Sequence, residues 1–197
     1  MKILAFTDLH GRINLLDTLK KKARKCDIVI CAGDLTNFEQ GLRNTLTNIA
    51  AFSKKLLVIH GNHEDSVNME RACKRIDNAI FLHKQIFKTG NYVFFGYGGG
   101  GFSMEEPEFD MIAKDFKKEI KKGKKIILVT HGPPYGTLLD IIGDDHVGCI
   151  NYTEFIDDNT VDLAICGHLH ENQKITQNYK KKTIIMNPGP EGEIIEI

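Results

Sequence analysis

At 197 residues the chain is long enough for one domain that buries roughly 70% of its unfolded surface, so neither a disulfide framework nor an obligate partner is required. Its 26 basic and 26 acidic residues cancel, which removes the field that draws nucleic acid or acidic lipid. Five cysteines, Cys26, Cys31, Cys73, Cys149 and Cys166, form no Cys-x-x-Cys pair and read as reduced core residues.

The apolar start at 3–6 is too short for a secretory signal, and no later run approaches the ~18 apolar residues of a membrane span. A cytoplasmic protein is the expectation. A strand over 3–7 is followed by a helix over 13–24 with Ile13, Leu16, Leu19 and Ala23 on one face. After a strand over 28–32, Thr36-Asn37-Phe38-Glu39 has capping-box spacing and introduces a helix facing inward through Leu42, Leu46 and Ile49. A third strand covers 56–59. This alternation favours parallel strands with helical crossovers, whose ligands collect beyond the carboxyl ends.

The middle carries short strand-like runs at 80–82, 85–88 and 92–97, the pattern of an antiparallel ribbon. Pro107 opens an amphipathic helix with Phe109, Ile112, Phe116 and Ile120 inside; Lys117, Lys118, Lys121 and Lys122 form its solvated face. Strands at 125–130 and 163–166, a helix at 151–158, a closing pair at 173–176 and 183–187, and an edge strand at 193–197 complete a single domain over 1–197. The glycine run 96–101 matches G-x-G-x-x-G, but no helix opens from it, so it reads as a turn at an active-site rim.

Chemistry concentrates in five short segments at strand ends: Asp8-Leu9-His10, Gly33-Asp34, Gly61-Asn62-His63-Glu64, His131-Gly132 and Gly167-His168-Leu169-His170. Seven oxygen or imidazole donors with no thiolate among them suit Mn²⁺, Fe, Zn²⁺, Co²⁺ or Ni²⁺ and disfavour a structural zinc knuckle. Seven are too many for one ion and suit two, with one carboxylate shared. Lone histidines are more often structural, and His60, His83 and His146 are read that way.

These blocks, D-x-H, G-D, G-N-H, H-G and G-H-x-H, resemble the calcineurin-like metallophosphoesterase superfamily. His131-Gly132-Pro133-Pro134 with Gly136 and Asp140, His146-Val147-Gly148-Cys149 and Gly167-His168-Leu169-His170-Glu171 resemble its branch that hydrolyses cyclic nucleotides and other phosphodiesters, and Asn187-Pro188-Gly189 looks like the family's closing loop. The resemblance implies a four-layer αββα sandwich, an α/β fold of two mixed β-sheets flanked by helices. It implies that Asp8, His10, Asp34 and His170 hold one divalent ion, and that Asp34, Asn62, His131 and His168 hold a second. Manganese comes first among the metals, with iron, zinc, nickel, cobalt or magnesium as alternatives.

Water activated between two such cations would attack the phosphorus, and His63, outside the ligand set, would protonate the leaving oxygen. Glu64 stands where many members carry aspartate, and is expected to orient that histidine or to cap the next helix. Tyr135, Leu138, His146 and the glycines near Gly98 are the expected pocket wall. The reading is a metal-dependent phosphodiesterase on small phosphate esters, with nucleic acid disfavoured and a homodimer left open. A phosphomonoesterase, a nuclease and a non-catalytic metal-binding scaffold are the alternatives.

Overall fold

The runs 28–32 and 56–59 contain no polar side chain, a composition suited to strands buried on both faces. The computed structural model, which describes residues 1–197, places them so. β1 (Lys2–Phe6), β2 (Ile28–Ala32), β3 (Leu56–Ile59) and β4 (Ala79–Phe81) are parallel neighbours, with α1 (Leu16–Ala23), α2 (Leu42–Phe52) and α3 (Ser66–Cys73) between them in the chain.

The chain then builds a second sheet. β5 (Gln85–Thr89) and β6 (Tyr92–Tyr97) form an antiparallel hairpin, followed by α4 (Pro107–Lys117) and β7 (Lys125–Thr130). A short hairpin of β8 (Ile141–Ile142) and β9 (Asp145–His146) precedes α5 (Ile150–Asp158), β10 (Leu163–Ile165), β11 (Thr176–Tyr179) and β12 (Thr183–Met186). The order is β11-β12-β10-β7-β6-β5, with four parallel strands between two antiparallel edges. The last strand, β13 (Glu193–Glu196), returns to pair antiparallel with β1.

Strand alternation divides the core into three. Ile3, Ala5, Ile28, Ile30, Leu57 and Ile59 point from the first sheet into the middle, against Phe94, Ile127, Val129, Leu163, Ile165 and Met186 of the second. Their neighbours Leu4, Phe6, Val29 and Cys31 face outward onto α1, α2 and α3. Val93, Phe95, Ile126 and Leu128 face Phe109, Phe116, Tyr152 and Phe155 on α4 and α5. The expected sandwich of two mixed sheets flanked by helices is therefore present, and all five cysteines are free and buried.

Four expectations are corrected in detail. The capping box at Thr36 does not form: Phe38 and Glu39 take left-handed backbone, and α2 starts at Leu42 behind Gly41. Ile13 lies in a 3-10 turn and is exposed rather than packed. Residues 79–81 are not part of the antiparallel ribbon, since β4 joins the first sheet beside β3. The strand expected at 173–176 begins at Thr176, because residues 170–172 coil into a turn whose Asn172 donates to the Leu139 and Ile141 carbonyls.

Candidate metal centre

All five chemical segments open at carboxyl ends of strands: β1, β2 and β3 in the first sheet, β7 and β10 in the second. Turning sharply there requires unusual backbone. Asp8, His10, Asp34 and His168 all have positive φ, at 54°, 47°, 49° and 67°. Each such non-glycine residue carries strain of about 1–3 kcal/mol, which persists only where surrounding bonds over-determine it. Those bonds are present: Asp8 N–H donates to Gly33 O, His10 N–H to Asp34 O, and Gly167 N–H to His131 O.

The two segments that approach most closely do so through glycine. A Cβ on Gly61 would overlap Asp34 Oδ1, and one on Gly167 would overlap Thr7 Oγ1.

The donors converge. His10 Nε2 lies 3.0 Å from His170 Nε2 and 3.7 Å from Asp34 Oδ2. His131 Nε2 lies 3.4 Å from Asp34 Oδ2 and 3.1 Å from Asn62 Oδ1, and His170 Nε2 lies 3.6 Å from Asp8 Oδ1. Three overlapping sets could each hold a cation: Asp8 with His10 and His170, His10 with Asp34 and His63, and Asp8 with Asp34 and His131. The carboxylates are buried, while Asn62 and His170 reach solvent and mark the mouth.

Tautomers are set from behind. His131 Nδ1–H donates to the Ala32 carbonyl at 2.9 Å, and His10 Nδ1–H donates to Asn37 Oδ1 at 3.0 Å, so Nε2 is the atom each ring turns to the carboxylates, and it offers a lone pair to a cation once any proton on it is lost. Burial by itself pushes the Asp34 carboxyl up, but the His131 imidazole and the His63 amide outweigh it and hold it at about 2. Burial, with His131 nearby, lowers His168 to about 4, so its ring is neutral at physiological pH. Its Nε2 is buried without a hydrogen-bond partner, which is unfavourable for a polar atom. An ionised Asp34, ring nitrogens turned inward around it and an orphaned His168 nitrogen fit divalent cations.

The structure brings Asp8, His10, Asp34, His131 and His170 into these sets, with Asn62 hydrogen-bonded to His131. His168 stands slightly apart, its ring 5.2 Å from that of His131 and its main-chain N–H on Asp8. His63 falls among the donors, with Nε2 3.9 Å from Asp34 Oδ2 and Nδ1 unpartnered.

Glu64 does neither of the jobs expected of it. Its buried carboxylate accepts from Thr36 N–H, Thr36 Oγ1 and Gly61 N–H, tying two loops together, while the cap of α3 is Asp65.

His60 and His83 pack ring to ring at 4.5 Å and take no part in the centre. Tyr135 faces His146, which Asp140 holds at 2.7 Å, and Leu138 bonds through its main chain to Gln177; none of the three makes a hydrogen bond to the centre. The glycine run does reach it, since Gly101 lies against His168.

Sequence reasoning passed over three neighbours. Arg12 turns its guanidinium onto the Leu9 and Asp8 carbonyls. Phe38 and Phe102 place their rings against His63 and His168, each at 4.6 Å. A bulky apolar residue beside a ligand motif was the available signal.

A family model described as calcineurin-like phosphoesterase matches residues 1–172. An uncharacterised protein of Methanocaldococcus jannaschii, MJ1162, is 29% identical over 217 residues, spanning 99% of this chain and 91% of its own. Among solved structures, TT1561 of Thermus thermophilus superposes with a TM-score of 0.79 at 14% identity, covering 96% of this chain and 89% of that one. A dimetal phosphatase from Danio rerio superposes with a TM-score of 0.64 at 10% identity, covering 94% and 86%. At those identities the structures bear on the fold alone. The match across residues 1–172, on a sandwich whose strand ends gather these donors, makes the chain a member of the calcineurin-like phosphoesterase family, hydrolases of phosphate esters that use a dinuclear divalent metal centre.

Proposed function

We propose that residues 1–197 act as one domain with phosphodiesterase activity on small diesters, cyclic nucleotides among the candidates. One ion would be held by Asp8, His10, Asp34 and His170 and the other by Asp34, Asn62, His131 and His168, with manganese the first choice of metal. When bound, two such ions supply Lewis acidity: they lower the pKa of water and offset charge building on the phosphoryl oxygens. Asp34 contributes the shared negative charge. His131 and His10 keep their lone pairs inward because Ala32 and Asn37 occupy their Nδ1 protons. His63, placed by its main-chain bond to Asp34, gives a proton from Nε2 to the leaving oxygen, a contribution of about 10² to 10⁴ in rate.

The observation that carries the diester preference is the charge of the site. A monoester dianion calls for a further cation at the phosphate, as a bidentate guanidinium would supply. Arg12, beside the centre, directs its guanidinium to two main-chain carbonyls. A singly charged diester suits that balance. The Danio rerio neighbour is described as a dimetal phosphatase, so the monoester is the reading to test against.

Chelated protein reloaded with Mn²⁺, Ni²⁺, Co²⁺, Zn²⁺ or Mg²⁺ is to be assayed on bis(p-nitrophenyl) phosphate and on p-nitrophenyl phosphate. Metal-restored turnover that is faster on the diester is the expected result. Faster turnover of the monoester means a phosphatase, and silence with every metal means a scaffold.

A further inference from the structure

Most large apolar side chains in this fold are buried, yet Phe38 is 76% exposed and Phe102 is 65% exposed, and both stand at the metal centre. Each is held there by unusual backbone. Phe38 has φ 47° and Glu39 follows at φ 65°, a left-handed pair that side chains with a Cβ resist. The turn is pinned on both sides: Asn37 Nδ2 donates to the His10 carbonyl, and the Glu39 carboxylate accepts from Asp65 N–H and Asn68 Nδ2. Phe102 follows Gly99, Gly100 and Gly101 at φ 83°, 88° and 111°, a run that only glycine makes without strain.

The two rings meet different histidines. Phe38 lies tilted against His63, the proposed proton donor, and Phe102 meets His168 edge-on, at the side of the second sheet.

We infer that Phe38 and Phe102 are the two walls of the substrate groove, and that the favoured substrates are phosphodiesters bearing aromatic groups, such as aryl or nucleoside esters. The inference rests on the phosphodiesterase reading and narrows its substrate class. An exposed phenyl ring offers a flat face and no hydrogen bond, so it recognises another flat ring by stacking. Phe38 touches the leaving group, because His63 must stand beside the oxygen that departs. Phe102 touches the group that stays on phosphorus. A monoester has no such group and leaves that wall uncovered.

The test compares ratios, which cancels intrinsic reactivity. Phe102→Ala should lower kcat/KM about tenfold on bis(p-nitrophenyl) phosphate, mainly through KM, and no more than about twofold on ethyl p-nitrophenyl phosphate. Phe102→Tyr should retain the aryl preference. Phe38→Ala should lower both substrates by similar factors, since they share the aryl leaving group.

The chain has no tryptophan, so F38W and F102W are each single-tryptophan reporters. The non-hydrolysable bis(4-nitrophenyl)phosphinate, a monoanion with two aryl groups on phosphorus, should quench each of them in the metal-loaded protein, and inorganic phosphate should reverse the quenching. Equal loss on both diesters in Phe102→Ala together with lost metal makes Phe102 a mere support for His168 and overturns the inference. Unchanged ratios or absent quenching overturn it as well. A wild-type protein silent on every diester overturns the phosphodiesterase reading first, whereas an active one without these differences overturns the walls alone.

Discussion

The two sheets bring unlike chemistry to one centre. Loops after β1, β2 and β3 deliver the oxygen donors, Asp8, Asp34 and Asn62, together with His10. Loops after β7 and β10 deliver imidazoles only, His131, His168 and His170. The backbone differs too: three of the four first-sheet donors sit at positive φ, against His168 alone in the second. The first sheet thus fixes the negative charge in a strained, hydrogen-bonded frame, and the second closes over it with imidazoles alone. Neither half is a site by itself. The centre exists because Ile3, Ile30, Ile127 and Ile165 hold the sheets face to face beneath it.

That asymmetry can be broken by removing one donor from each side. Asp34→Asn takes away the charge that would serve both ions, so metal content should fall from two per chain to below one. Activity should fall by on the order of 10³. His168→Ala removes a neutral side chain proposed to hold one ion and should leave the other ion in place. Elemental analysis of the two proteins decides it: a dinuclear Asp34→Asn, or a metal-free His168→Ala, means that the charge is not concentrated on the first sheet. His63→Ala sharpens the comparison from a third direction, since a proton donor should take with it about 10² or more in kcat while both metals remain. Loss of metal in that variant would place His63 among the ligands, which its 3.9 Å approach to Asp34 makes the competing outcome.

A further substitution attacks the seam rather than the donors. Gly167 crosses from the second sheet onto Thr7 and Asp8 of the first, and a Cβ there would overlap Thr7 Oγ1 and lie 2.7 Å from Asp8 Oδ2. Gly167→Ala should therefore cost about 1–3 kcal/mol of stability, seen as a lower Tm, and weaken both metals together. An unchanged Tm with full metal content would show that the loops adapt to each other more freely than these contacts suggest.

The donors were legible in the sequence because strand ends are simple to recognise: a β-branched run, then a sharp turn, then chemistry. The layers were legible for the same reason, through the uninterrupted apolar runs of β2 and β3. What escaped depended on contacts between distant segments. The resemblance gives Glu64 the task of orienting a histidine or capping the next helix, yet its carboxylate goes to Thr36, 28 residues away, and the cap passes to Asp65. Thr36 reads as the start of a capping box, but its N–H and hydroxyl are claimed by that same Glu64. Phe38 reads as one more apolar residue of a helix start. Only the turn at Phe38 and Glu39 shows that its ring is turned outward toward His63.

The smallest expected effect separates the histidines of the centre from the pair outside it. His131 and His170 face Asp34 and Asp8. Burial opposes the rise in His131 but is outweighed by Asp34, and the hydrogen bond to Asp8 raises His170. His60 and His83 face no carboxylate at bonding distance, and burial lowers them to about 4 and about 3. His83 Nδ1 accepts the Gly98 N–H at 2.8 Å, which further requires a neutral ring.

An unfolded histidine takes a proton near pH 6.5, and folded His83 does not until far lower. Its share of stability is therefore whole above about pH 6.5 and declines as pH falls toward its folded value, by up to about 2 kcal/mol at pH 5. His83→Asn keeps an acceptor for Gly98 and removes the titration. Urea unfolding of chelated protein at pH 7 and pH 5 should show a smaller drop in the variant than in the wild type. Equal drops would mean that His83 is already protonated in the folded chain, and the contrast between the two groups of histidines would then rest on the carboxylates alone.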